Sequence, residues 1–91
     1  MEEASLDVYA AWVRGARPRA SIERQVRQFV ASLFEYPRGH PAAEAVRRHP
    51  YVTDDLRWAV VPGTDVGVVY AVDEDGRSIR LLSIGPRSGG G

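Results

Sequence analysis

The sequence predicts an α+β domain in which an N-terminal helix hairpin packs on an antiparallel sheet of three to four strands. One observation is an apolar stripe, Ile22, Val26, Phe29, Val30 and Leu33, at helical spacing. A second is three short apolar runs, at 56–61, 66–72 and 78–84, separated by the turn signals Pro62 to Asp65 and Asp75-Gly76. The third is size: 91 residues are enough for one core and too few for two. Residues 1–88 are read as a single domain and 89–91, all glycine, as a flexible tail.

The first helix rests on Leu6, Tyr9, Ala10 and Val13, with Ser5 as its N-cap and Gly15 as its stop. Arg14 to Arg19 form a loop around Pro18, which is poorly tolerated inside a helix. The second helix begins after Ser21 as N-cap and ends before Pro37. Its outer side carries Arg24, Arg27, Gln28 and Ser32. From Pro41 to His49 two further turns of helix are expected, closed by Pro50, and then a short extended stretch at 51–53.

In the sheet, a two-residue turn centred on Asp75-Gly76 sets Val72 opposite Ile79, Tyr70 opposite Leu81 and Val68 opposite Ser83. Val66, Val68, Tyr70, Val72, Ile79 and Leu81 then face the helices, while Gly67, Val69, Ala71, Arg80, Leu82 and Ile84 lie on the open face. The loop at 62–65 decides the preceding strand, because a change of one residue turns every side chain over. A three-residue loop buries Leu56, Trp58 and Val60; a two- or four-residue loop buries Arg57, Ala59 and Val61. Burying an unpaired guanidinium is expensive, so the three-residue loop is expected, with Arg57 and Arg80 sharing the open face.

The charges sum to zero, and all twelve cations are arginine. Residues 14–48 hold eight Arg against three Glu, and residues 49–91 hold four Arg against six acids. The domain is thus a basic helical half on an acidic sheet half, although zero net charge argues against an obligate nucleic-acid binder. The absence of cysteine excludes disulfides and thiolate metal sites. No run approaches a membrane span, and the acidic start lacks the basic region of a signal peptide, so a cytoplasmic protein without membrane association is expected. Nucleotide, hydrolase and metalloprotease motifs are missing. Asp73 to Gly76 lacks the ligand series of a calcium loop, and His40 and His49 read as solvated loop residues, so neither a metal nor a cofactor is expected. Trp12, Trp58, Tyr9 and Tyr70 read as core aromatics in preference to base-stacking ones.

Two helices ending in Leu33 to Arg38, then a strand, then Val69-Tyr70-Ala71-Val72, a tight turn, and Leu81 to Arg87 make an order of parts that resembles the RelE/ParE superfamily of bacterial toxins, over about residues 6–88. The resemblance implies a toxin or toxin-like component of a type II toxin–antitoxin system, held by a cognate antitoxin. Its RelE branch cleaves mRNA on the ribosome and its ParE branch inhibits gyrase. Carried onto this chain, the motif makes Arg87 the guanidinium that steadies a pentacoordinate phosphate, with Arg57 as the first-strand cation. Arg80, Arg24, Arg27, Leu82 and Ile84 are then candidate binding residues. The chain also departs from the pattern. Residues 65–70 contain no arginine before the Val-Tyr pair, and no tyrosine or His-Tyr closes the chain. Each lost charge-assisted contact costs about 2.7–4 kcal/mol of transition-state stabilisation, so an endoribonuclease activity lacks most of its machinery. The alternative from another class is a catalytically inactive interaction module whose open sheet face binds a partner or a second copy. A third reading is a small regulatory nucleic-acid binder using Arg24, Arg27 and the cations from Arg14 to Arg19.

Overall fold

The computed structural model describes residues 3–46, 55–73 and 77–86. Two helices, α1 (Glu3–Ala16) and α2 (Ala20–Glu35), precede four strands, β1 (Ala43–Ala45), β2 (Asp55–Val60), β3 (Val66–Val72) and β4 (Ile79–Pro86). The strands form one antiparallel sheet in the order β1-β2-β3-β4. The α+β class and the two-helix start are therefore as expected, with β1 as the fourth strand.

The second helix forms where its stripe requires. Val26, Phe29, Val30 and Leu33 are buried, and Ile22 packs at the margin of the same cluster. The helix begins at Ala20, one residue before Ser21, and its N-cap is Arg19, which has extended backbone and makes no side-chain cap bond. At its other end Tyr36 N–H bonds the Ser32 carbonyl at 3.2 Å, and Pro37 prevents continuation. The first helix runs past Gly15. It ends when Arg17 takes φ 47° and its N–H bonds the Val13 carbonyl at 3.0 Å, an αL cap on a residue other than glycine. Ser5 is not the N-cap either. It lies inside α1, fully buried, and its Oγ accepts the Leu81 N–H at 3.1 Å, tying the helix to the edge strand β4.

The β2 register is the reverse of the expected one. Val61 N–H bonds the Val66 carbonyl at 2.9 Å, so the loop is the four residues 62–65. Pro62 and Gly63 are the two central residues of a type II turn: Gly63 has φ 77°, and Thr64 N–H returns to the Val61 carbonyl at 3.1 Å. Thr64 Oγ1 also donates to Val61 O at 2.8 Å and accepts from Val66 N at 3.1 Å, which completes the loop. Arg57 therefore pairs with Tyr70 and Ala59 with Val68, on the helix side, while Leu56, Trp58 and Val60 face outward. The desolvation penalty that argued against this is avoided because the guanidinium is not unpaired: Arg57 Nε and Nη2 each lie 3.3 Å from the Asp55 carboxylate, and Nη1 donates to the Arg38 carbonyl.

A second correction concerns β4. Val72 faces Ile79 and Tyr70 faces Leu81 as expected, but Val69 faces Ser83 and Val68 faces Ile84. Leu82 is the extra residue of a β-bulge. Beyond it the parity reverses, and Ile84 packs against the core instead of lying on the open face. A third correction is the expected helix at 41–49. Residues 43–45 are β1, paired with β2 from Ala43 opposite Ala59 to Ala45 opposite Arg57. His49, the stretch at 51–53, the tip of the turn at 74–76 and Arg87 lie outside the described residues.

The core lies between the helices and one sheet face: Trp12 from α1, the α2 stripe, and Ala59, Val61, Val66, Val68, Tyr70, Val72, Ile79 and Leu81. Trp58, expected there, is 38% exposed on the other face.

Candidate functional site

Three places gather side chains with chemical potential. The first is the helix side of β2 and β3. Tyr70 is 0% exposed, and its hydroxyl has no hydrogen-bond partner among the described residues. Burial raises the Tyr70 pKa above its ordinary value, the nearby Arg57 lowers it and Asp55 raises it. Arg57 is thus a local counter-charge in a satisfied ion pair, and its donors point to Asp55 and Arg38. Tyr9 also ionises late, through burial and then the charge of Glu23, to whose Oε1 it donates at 3.2 Å, with Arg27 opposing.

Replacing Tyr70 by phenylalanine is expected to leave stability unchanged or raise it by about 1–3 kcal/mol, because an unpaired buried hydroxyl is removed and the ring is kept. The sign of the pH dependence follows. The folded chain holds Tyr70 protonated above pH ~10, where the unfolded chain releases the proton. Stability therefore falls as pH rises beyond that value, and the fall should be shallower in Tyr70→Phe. Denaturant melts at pH 8 and above pH 10 measure both.

The second place is the C-terminal end of α2. Ser32 Oγ lies 2.9 Å from His40 Nε2, which has the form of a nucleophile and its base. The proton positions exclude that role. His40 Nδ1 accepts the Ala42 N–H at 3.1 Å, so in the neutral ring the proton is on Nε2 and is donated to Ser32. The serine hydroxyl in turn donates to the Phe29 carbonyl at 2.6 Å. With the ring edge-on to Phe29 at 5.1 Å, His40 is a clasp that holds the chain entering β1 against α2. It is not the solvated loop residue expected.

The third place is the open sheet face and the edge beside it. Pairing puts residues in rows across the sheet: Leu56, Ala71 and Arg80 form one, Glu44, Trp58, Val69 and Ser83 the next, and Val60, Gly67 and Gly85 a third. The middle of this face is apolar, and Arg80 and Glu44 stand at its opposite edges. Around the β4 edge, Val8, Ala11, Trp12 and Ala16 of α1 and residues 82–86 of β4 line an apolar groove of about 570 Å³.

The sequence-derived candidates are thus dispersed. Arg57 lies on the helix side and Arg80 on the open face. Leu82, 41% exposed, and Ile84, turned inward by the bulge, come together only as walls of the groove. Arg24 and Arg27 are exposed on α2. The structure adds Trp58, Leu56, Val60 and Glu44 as open-face residues. Reading Pro62-Gly63 as the centre of a type II turn would have found the first three. Among the described residues no cluster of His, Asp or Glu is placed to hold a metal, and no helix is long and apolar enough to cross a membrane. Comparison of the chain with protein-family models, with curated proteins and with solved structures finds no match.

Proposed function

We infer that the chain is a non-enzymatic interaction module that binds protein through the open face of its sheet. The observation that supports this reading is Trp58, a large aromatic left 38% exposed amid Leu56, Val60 and Val69 on the sheet face turned away from the core. Exposed aromatics in an apolar setting are typical anchors of protein interfaces. The cations that an RNA-cleaving site would need to cluster are divided between two faces.

One observation favours the toxin reading. Two helices followed by an antiparallel meander, with Ile84-Gly85-Pro86-Arg87 at its end, keep the order of parts of RelE/ParE-like toxins. In that reading Arg87 acts on the mRNA phosphate at the ribosome, or the domain inhibits gyrase, and an antitoxin restrains it. Arg24 and Arg27 supply further cations. Expression in a bacterium without any added antitoxin separates the two. The interaction-module reading expects unimpaired growth, identical for the parent and Arg87→Ala. Growth arrest relieved by Arg87→Ala overturns it in favour of the toxin.

A further inference from the structure

We propose that the partner on the open face is a second copy of this chain, packed sheet to sheet across a two-fold axis as a weak, closed dimer. The proposal rests on the interaction-module reading and adds the identity of the partner.

The argument comes from the register. Glu44 stands on the β1 edge in the Trp58–Val69 row, and Arg80 on the β4 edge in the Leu56–Ala71 row. Both are exposed, and neither has a hydrogen-bond or ion-pair partner among the described residues. Adjacent strands lie ~4.8 Å apart, and same-face residues on one strand lie ~6.8 Å apart. On that grid the midpoint between Glu44 and Arg80 falls among Leu56, Trp58, Val69 and Ala71. A two-fold axis in the plane of contact, through that midpoint and at right angles to the line joining the two charges, sets each copy's Glu44 over the other's Arg80. One operation thus makes two opposite-charge pairs at the ends of an apolar patch that stacks on itself, as an isologous contact requires. The charges also select orientation, because rotation about an axis along the Glu44–Arg80 line would bring like charges together.

The face is small. Four strands of this length present roughly 400 Å² per copy, below the ~800 Å² of a standard interface. The dimer is therefore weak, with a dissociation constant on the order of 10–100 μM, and is populated where the chain is locally concentrated. Zero net charge adds no general repulsion between copies.

Sedimentation equilibrium on the full chain at low salt, spanning that concentration range, tests the proposal. The parent should shift from monomer to dimer mass. Arg80→Glu and Glu44→Arg should each weaken the dimer at least tenfold, and the double swap should return to within about threefold of the parent. Trp58→Ser should weaken it as well. All three positions are exposed, so circular dichroism melts should stay near the parent's. Should one single variant lose its fold, the other single variant carries the repulsion test. A monomer at every concentration, species larger than a dimer, or a dimer indifferent to Arg80→Glu overturns the proposal. A monomer together with harmless expression removes the second copy as partner and leaves the interaction module standing. Growth arrest relieved by Arg87→Ala removes the module reading whatever the mass.

Discussion

Truncating Leu33 to alanine is expected to lower the unfolding free energy by about 2–5 kcal/mol. Leu33 is 0% exposed in the last turns of α2, where the helix stripe meets the sheet core. Its loss removes transfer energy and leaves a cavity in the buried cluster between α2 and the sheet. A domain of this size has roughly 5–14 kcal/mol of stability in total. The change should appear in urea melts as a lower midpoint with an unchanged slope, since the surface exposed on unfolding barely alters. A loss under 1 kcal/mol would mean that α2 does not pack on the sheet as described.

The second expectation concerns a polar contact. Ser5→Ala should cost about 1–3 kcal/mol, because it leaves the Leu81 N–H, on the outer side of the edge strand, buried without an acceptor. An ordinary surface serine in the first turn of a helix would cost a few tenths. The site-specific signature is amide exchange: Leu81 should exchange faster by a larger factor than its β4 neighbours. If all β4 amides accelerate together by the global stability loss, the bond from Ser5 is not what protects Leu81. The same contact explains how α1 closes the exposed edge of a four-stranded sheet against pairing with other chains.

Both residues show where the sequence was legible and where it was not. Leu33 belongs to a stripe with a single period, so its burial follows from local spacing. The β3 alternation and the pairing of Val72 with Ile79 were legible for the same reason. Ser5 carries the side chain of an N-cap, and nothing local distinguishes that role from a bond to an amide 76 positions away. Desolvation keeps an unpaired guanidinium off the helix side, but Arg57 is paired with Asp55 and the Arg38 carbonyl. Asp55, two residues earlier on the same strand, necessarily shares its face, and Pro62-Gly63 already fitted the central positions of a type II turn. β1 was hidden because Ala43-Glu44-Ala45 has helix-forming residues, and pairing with β2 overrides that preference. The open face was therefore predicted in place but not in content. It was expected to carry two arginines, and it carries Trp58 between one cation and one anion. The bulge had no sequence signal, since no glycine marks Leu82.

That bulge bears on how the length of this chain can vary. In a regular strand the loss of one residue turns every later side chain to the wrong side. Between Leu81 and Ser83, however, removing Leu82 restores simple alternation, keeping Ile79, Leu81 and Ile84 inward and Arg80 and Ser83 outward. β4 thus has one position at which a residue can be gained or lost while the core stays the same. Chains one residue shorter there can share this fold, and an alignment that forbids a gap in the last strand would pair their inward residues with outward ones.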